Sequence, residues 1–195
     1  MTREEFDKFS MQIVPHTYPG HENMTHQWWC QQNSEEFWNL LDIVSKINPK
    51  RVLEIGSAHG GNLCFFDQLV GKGGTVVGVD IDPGAFSILD KTMSGYKSIS
   101  NIITIAGKQS KDVVNIVKKR FNNKQVDFLF IDGDHTYEGS KLDYTLYSKL
   151  VRPGGIIAFH DVAIEPGCTQ AFNECPDPKE ILQVHYMGIG VVYVQ

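Results

Sequence analysis

Short runs of apolar, β-branched residues recur from Arg51 onward, and each leads into a glycine, an aspartate or a histidine. Longer segments with helical spacing separate these runs. The predicted strands are RVLEI (51–55), TVVGV (75–79), NIITI (101–105), VDFLFI (126–131) and GIIAF (155–159). This alternation predicts a parallel sheet covered by helices, because parallel neighbours require a crossover connection.

The two ends of the chain depart from this rhythm. Apolar residues recur at helical spacing between Phe37 and Ile47, which predicts a helix capped by Ser34 and stopped by Asn48-Pro49. EILQVHY (180–186) and IGVVYV (189–194) predict two strands joined by a tight turn. The fold class is therefore α/β: a single doubly wound, seven-stranded, mostly parallel sheet with an antiparallel C-terminal hairpin. Residues 34–195 form the domain, and residues 1–33 are predicted to be an N-terminal arm or lid.

Composition and charge favour a small-molecule protein. The 195 residues include 18 Lys+Arg against 23 Asp+Glu, a formal net charge of -5, and 42% of them are hydrophobic. A mildly acidic chain lacks the basic surface that grips nucleic acid or anionic lipid. Without a signal peptide or membrane span, a cytoplasmic location is expected, with the four cysteines reduced. Trp28 and Trp29 favour core packing or a homodimer contact over a substrate cover.

A glycine-rich turn follows the first predicted strand. VLEIGSAHGG (52–61) places Glu54 near the strand end, then Gly56 and Gly60-Gly61 at the start of a helix. Glycines allow a sharp turn and a close approach to a ligand. Asp80 lies at the carboxyl end of the second strand, where a carboxylate suits two adjacent ribose hydroxyls. These features predict a nucleoside ligand.

The type of nucleoside follows from Glu54. The dinucleotide fingerprint, which Gly56-x-Ala58-x-x-Gly61 misses by one residue, wraps a pyrophosphate that an acid would oppose. A carboxylate suits a cation better. The spacing E-x-G-x-x-x-G, together with Asp80, resembles motif I of class I S-adenosylmethionine-dependent methyltransferases. The terminal hairpin is similar to that family's reversed last strand, which indicates a Rossmann-like methyltransferase fold.

This resemblance implies a set of cofactor contacts. AGKQS (106–110) occupies the place of the family's adenine loop, although Ser110 is equally well suited to cap a helix. The implied cofactor-binding residues are Glu54, Gly56, Ser57, Gly60, Asp80, Ile81, Gln109, Ser110 and Asp132.

A second polar group follows the fourth and fifth strands. If these strands are neighbours, Asp132 and the pair His160-Asp161 emerge side by side at the carboxyl edge, where α/β sheets bind ligands. Closely spaced carboxylates need a proton or a cation between them. We expect a divalent cation: Mg²⁺ on carboxylates alone, or Mn²⁺ if His160 takes part. His160 could instead orient Asp161.

IDGDHTYEG and HDV resemble the metal-assisted O-methyltransferases of antibiotic and sugar tailoring, the macrocin-type and cephalosporin hydroxylase-like branch. The resemblance implies Asp132, His160 and Asp161 as metal residues, with histidine where the branch commonly has an acid. It implies Asp134 or His135 as the general base, and the sequence does not separate the two. Asp134 could also cap the following helix.

The expected function is O-methylation of a small hydroxylated metabolite or sugar, with S-adenosyl-L-methionine as methyl donor and Mg²⁺ or Mn²⁺ as the assisting ion. Two alternatives stay open. One is an NAD(P)-dependent oxidoreductase, which leaves the acidic cluster without a role. The other is a non-catalytic nucleoside-binding protein.

Overall fold

The structure is a computed structural model that describes residues 2–10, 32–58, 60–83 and 97–195. The predictions for Trp28, Trp29 and Cys30 lie outside the described residues. The helices of the described chain are α1 (Arg3–Ser10), α2 (Ser34–Ser45), α3 (Gly61–Val70), α4 (Lys111–Arg120), α5 (Tyr137–Tyr147) and α6 (Pro166–Asn173). The strands are β1 (Arg51–Ile55), β2 (Thr75–Asp80), β3 (Asn101–Ala106), β4 (Val126–Ile131), β5 (Val151–Phe159), β6 (Lys179–Leu182) and β7 (Ile189–Tyr193).

The seven strands form one sheet in the order β3-β2-β1-β4-β5-β7-β6. Strands β1 to β5 are parallel, and β7 is antiparallel to both β5 and β6. The predicted fold class is confirmed, including the antiparallel C-terminal strands. The order reverses at β1, so the carboxyl ends of β1, β2, β4 and β5 share one edge beside this switch point.

The core lies on both faces of the sheet, because side chains of period two alternate between them. On one face, Leu53 and Leu129 pack against α4, α5 and α6. On the other, Val52 and Phe128 pack against α1, α2 and α3. Both faces are therefore dry, which explains why the strands read as nearly continuous apolar runs.

Several predicted boundaries differ from the structure; β5, for example, begins at residue 151, four residues before the predicted start. Two of the differences have a clear cause. Asn33 rather than Ser34 caps α2, since its side chain accepts hydrogen bonds from the backbone N–H groups of Glu35 and Glu36. The segment 180–186 is not all strand: β6 ends at Leu182, and a longer loop replaces the tight turn. The Glu36 carboxylate holds that loop by accepting from the N–H groups of Val184, His185 and Gly188 at 2.6–3.2 Å.

The N-terminal helix α1 is absent from the sequence prediction. Its Phe6 is fully buried, with ring centroids 5.4 Å from Trp38 and 5.2 Å from Phe65. Residues 3–10 therefore pack on the α2–α3 side of the domain. None of the helices in the described ranges is long and apolar enough to span a bilayer.

Candidate functional site

The residues that follow the strands are tied to one another at the carboxyl edge of the sheet. Backbone N–H groups of Gly56, Asp132 and His160 donate to the carbonyls of Val79, Ile55 and Ile131 at 2.8–3.0 Å. Each loop is thus fixed by a residue at or next to the end of a neighbouring strand. The ladder brings the glycine turn after β1 and the polar segments after β4 and β5 to one place.

A cavity of about 510 Å³ opens at this edge. It is bounded by the ends of β1 and β2 and by the loops after β3 and β4. Its walls are Ile55, Gly56, Ala58, Val79, Asp80, Ile81, Gly107, Lys108, Gln109, Asp132, Gly133 and Asp134. The structure therefore brings together Gly56, Asp80, Ile81, Gln109, Asp132 and Asp134 of the sequence-predicted site.

Glu54 is fully buried behind the glycine turn. Its Oε1 accepts a hydrogen bond of 2.7 Å from Asn62 Nδ2, and its Oε2 has no partner among the described residues. Burial raises the pKa of Glu54 to about 8. Ser57 is also buried, and its hydroxyl lacks a partner within the same set of residues. A cationic group nearby would satisfy the buried carboxylate.

Asp80 organises the turn between β2 and the glycine loop. Its two carboxylate oxygens accept from the backbone N–H groups of Ala58, at 2.7 Å, and Asp82, at 2.8 Å. Ile81, the next residue, is 65% exposed beside the cavity. Each carboxylate oxygen retains a second lone pair for a ligand hydroxyl.

Gly56 serves protein packing more directly than ligand approach. Its φ is +85°, and an added Cβ would lie 2.1 Å from the carbonyl oxygen of Asp132. Gly60 has φ +78° and precedes α3 without a side-chain cap. Both positions need backbone conformations that favour glycine.

The two residues predicted to contact adenine have different roles in the structure. Gln109 lines the cavity, and its Nε2 lies 3.2 Å from Asp143 Oδ2. Ser110 caps α4 by accepting from the N–H of Val113, and it is not among the residues that line the cavity.

Asp132 and Asp161 meet next to the cavity, with His160 between them. His160 Nδ1 lies 3.1 Å from Asp132 Oδ1 and 3.2 Å from Asp161 Oδ2. Burial alone lowers the pKa of His160, but the two carboxylates raise it to about 10. A protonated His160 therefore supplies one positive charge against the two negative charges of the paired acids.

His135 approaches the same two acids from the solvent side. Its Nε2 lies 3.6 Å from Asp132 Oδ1, and its Nδ1 lies 3.5 Å from Asp161 Oδ2. Ligand atoms of Asp132, His135 and Asp161 all lie within 4.8 Å of one another, a spacing compatible with one shared ion. The grouping contains His135 where the sequence prediction placed His160.

Asp161 has the left-handed backbone conformation, with φ +59°. Only glycine, asparagine and aspartate adopt this region readily. Its Oδ1 is buried and lacks a hydrogen bond within the described ranges. A buried carboxylate with an unused oxygen, on a residue in a sparsely populated backbone conformation, is typical of a binding site.

Asp134 is exposed at the cavity rim. Its Oδ1 accepts a hydrogen bond from the N–H of Thr136, which lowers the pKa of Asp134. Thr136, rather than Asp134, caps α5 by accepting from the N–H of Gly139. Asp134 is therefore ionised at neutral pH and stands close to both the cavity and His135.

Several site residues were missed by the sequence analysis. Gln32 donates from Nε2 to Asp132 Oδ2 at 2.9 Å, although the two residues are 100 positions apart. Asn62 binds Glu54 from the first turn of α3. Asp143, fully buried in α5, contacts Gln109. The only sequence feature that could have indicated a buried role for Asp143 is its position on the side of the helix that otherwise faces the core.

Comparison with known families agrees with this geometry. A family model described as "Methyltransferase domain" matches residues 53–162. The match extends from the first strand to the turn after the fifth, so it covers more than half of the chain. It includes both the glycine turn after β1 and the polar segments after β4 and β5.

Curated relatives fall into named and uncharacterised proteins. Catechol O-methyltransferase B of Danio rerio is 24% identical over 60% of this chain and 45% of its own length. Rhamnosyl O-methyltransferase of Mycobacterium leprae is 23% identical over 68% of this chain and 57% of its own length. Uncharacterized protein R132 of Acanthamoeba polyphaga mimivirus is 53% identical over 63% of this chain and 56% of its own length. The chain thus spans about half the length of these relatives.

Solved structures share the fold. An O-methyltransferase from Bacillus cereus in complex with SAH has a TM-score of 0.66 at 18% identity, over 97% of this chain and 89% of the other. The O-methyltransferase TomG from Streptomyces achromogenes, in complex with SAM, has a TM-score of 0.67 at 15% identity, over 100% and 91%. At this identity the similarity establishes the fold.

Proposed function

The chain belongs to the methyltransferase-domain family, and we propose that it transfers the methyl group of S-adenosylmethionine to an oxygen of a small hydroxylated metabolite or sugar, assisted by a divalent cation. One observation carries the proposal. Asp132 both lines the nucleoside-sized cavity and belongs to the Asp132–His135–Asp161 cluster. A methyl donor in the cavity and an acceptor at the cluster would therefore be neighbours.

The cavity residues fit S-adenosylmethionine. Glu54 and Ser57 offer buried polar atoms, without hydrogen bonds in the described part of the chain, to the cationic amino acid portion. Asp80 is positioned for the ribose hydroxyls, and Gln109 for the adenine. Gly56 and Gly60 shape the turn, and the exposed Ile81 lines the cavity next to Asp80. Ser110 contributes indirectly, because it caps the helix that follows Gln109.

The acidic cluster fits a divalent cation. Two carboxylates and an imidazole with ligand atoms within 4.8 Å suit Mg²⁺ or Mn²⁺. We assign Asp132, Asp161 and His135 as the residues that would hold the ion, with His160 donating from Nδ1 to orient both carboxylates. When bound, the ion supplies a lowered pKa for an acceptor hydroxyl.

Asp134 is the residue we assign as general base. Its carboxylate is ionised at neutral pH, lines the cavity and stands one residue from His135. The acceptor hydroxyl gives its proton to Asp134 while the oxygen attacks the methyl carbon and the methyl–sulfur bond breaks. His135 is engaged by both carboxylates and is the weaker candidate for this role.

The methyl acceptor is proposed as a class only. The names of two relatives, catechol and rhamnosyl O-methyltransferase, both specify transfer to oxygen, on a catechol in one case and a rhamnosyl group in the other. A hydroxylated ring compound is the shared chemistry. The family match does not favour the oxidoreductase alternative.

Ligand-induced stabilisation tests the cofactor. Saturating S-adenosylhomocysteine should raise the melting temperature of the wild type, and NAD⁺ should not. Asp80→Asn should lose most of this shift, whereas the matched control Asp112→Asn, an exposed acid on α4, should retain it. A shift with NAD⁺ alone would contradict the proposal. Methyl transfer to a panel of catechols and glycosides, with EDTA and with added Mg²⁺, then distinguishes an enzyme from a binding protein.

A further inference from the structure

Asp143 is a buried acid that the proposed chemistry leaves without a role. It lies in the second half of α5, is fully buried, and does not line the cavity. Its Oδ2 receives one hydrogen bond, from Gln109 Nε2 at 3.2 Å, and its Oδ1 has none within the described residues. Burying a carboxylate with so few partners costs stability, so a compensating use is expected.

The surroundings of Asp143 connect it to the cavity. Gln109 belongs to the loop after β3, and Gly133 belongs to the loop after β4; both line the cavity. A Cβ added to Gly133 would lie 3.2 Å from Asp143 Oδ2. The carboxylate therefore sits directly behind two walls of the cavity and touches the side chain of one of them.

A carboxylate accepts hydrogen bonds and cannot donate them. When Asp143 is ionised, the end of the Gln109 amide that faces it must then be the NH₂ group, as in the observed Nε2–Oδ2 contact. Because the amide is planar, this contact leaves Oε1 as the end available to a ligand in the cavity. An amide oxygen accepts from an amino group and is a poor neighbour for a carbonyl oxygen.

We propose that Asp143 is a positioning residue that orients the Gln109 amide and thereby selects an amino purine over a keto purine in the cavity. Adenine presents an amino group at C6, which the Gln109 oxygen can accept. Hypoxanthine presents a carbonyl oxygen at the same atom, which would meet the Gln109 oxygen. The inference rests on the proposed function, since it assumes that the purine of S-adenosylmethionine reaches Gln109.

The substitution Asp143→Asn isolates this effect. Asparagine keeps the shape of the side chain and removes a buried charge, so the variant should fold. Its Nδ2 can donate to Gln109 Oε1, which allows the amide to turn and present its NH₂ group to the cavity. The preference between the two purines should then move toward the keto form.

The experiment measures affinities for S-adenosylhomocysteine and S-inosylhomocysteine by calorimetry at pH 8.5. Burial raises the pKa of Asp143 to about 7, so Asp143 is ionised at this higher pH. The wild type should prefer the adenine compound by about tenfold or more, the effect expected of one mismatched buried hydrogen bond. Asp143→Asn should reduce this ratio by a similar factor. Gln109→Ala should lose the preference, and the double variant should match Gln109→Ala.

The ratio of two affinities separates positioning from general destabilisation. Asp127→Asn, which alters a buried acid at the opposite edge of the sheet, should lower stability and leave the ratio unchanged. A wild-type ratio in folded Asp143→Asn, or in Gln109→Ala, would overturn the inference. Failure of the wild type to bind S-adenosylhomocysteine would instead overturn the proposed function.

Discussion

Gly56 packs directly against the backbone of Asp132, so closely that an added Cβ would lie 2.1 Å from the Asp132 carbonyl oxygen. The backbone N–H of Asp132 in turn donates to the carbonyl of Ile55 at 2.8 Å. The cofactor turn after β1 and the acidic loop after β4 are thus one packed unit. The position of the Asp132 carboxylate depends on the absence of a side chain at residue 56.

Gly56→Ala should therefore damage the fold itself. The alanine Cβ would overlap backbone atoms, and φ +85° is unfavourable for any residue with a Cβ. We expect a loss of about 2–4 kcal/mol in the free energy of unfolding, measured in urea. Gly73→Ala is the matched control: φ is +80°, and no atom of the described chain lies within 4 Å of its added Cβ. A loss no larger than that of Gly73→Ala would contradict the packing argument.

Glu54→Gln should change how stability depends on pH. The folded pKa of Glu54 is raised to about 8 by burial, whereas the unfolded pKa is about 4.3. The protonated form is therefore favoured in the fold: its stabilising effect is complete below pH 4 and is lost as the pH rises toward 8. Each unit of pKa shift corresponds to about 1.4 kcal/mol, so the ligand-free wild type should lose several kcal/mol over this range.

The neutral glutamine should remove this loss. The free energy of unfolding should be measured without cofactor at pH 5 and pH 9. Relative to the wild type, the variant should be more stable at pH 9 than at pH 5. The same variant should bind S-adenosylhomocysteine poorly at both values, because the ionised carboxylate is the proposed partner of the ammonium group. Equal pH dependence in the two proteins would mean that Glu54 does not titrate in this range.

Much of the sheet could be predicted because its strands are buried on both faces. Runs such as 126–131 contain apolar residues on both sides of the period-two pattern, which distinguishes them from amphipathic helices. The predicted end of β6 was wrong because the Glu36 carboxylate accepts hydrogen bonds from backbone N–H groups of that segment, although Glu36 lies 148 residues away from Val184 in the sequence. A contact over such a separation leaves no local trace in the sequence.

The site was predictable where it depended on strand order. Once β4 and β5 are neighbours, Asp132 and Asp161 must emerge together. The partners of these acids were harder to predict from the sequence. Gln32 and His135 reach the acids through loop conformations that residue spacing does not determine. Asp143 was missed for a related reason, since its role depends on a loop packed against its helix.

Asp161→Asn should weaken metal binding and spare the cofactor. Asparagine tolerates φ +59°, so the backbone of residue 161 should be retained. Loss of one anionic ligand should reduce Mn²⁺ affinity by at least the ~10-fold to 100-fold that loss of an outer-shell partner costs, judged by titration followed by electron paramagnetic resonance. Affinity for S-adenosylhomocysteine should stay near that of the wild type, because Asp161 does not line the cavity.

Glu165→Gln provides the control for the Asp161 variant, since it alters the next acid along the chain outside the cluster. It should bind Mn²⁺ like the wild type. If Asp161→Asn also retains wild-type Mn²⁺ affinity, the acids serve only as hydrogen-bond acceptors for His160 and His135.

Asp134→Asn and His135→Gln should separate proton transfer from metal binding. Asp134 lines the cavity and lies outside the set of grouped ligand atoms, whereas His135 belongs to that set. Asp134→Asn should therefore keep its Mn²⁺ affinity and lose about 10²-fold or more in kcat, as expected for removal of a general base. His135→Gln should lose Mn²⁺ affinity, and added Mn²⁺ should restore part of its turnover. If Asp134→Asn keeps full turnover while His135→Gln stays inactive at saturating Mn²⁺, the base is His135 and the ion is held by the two carboxylates without it.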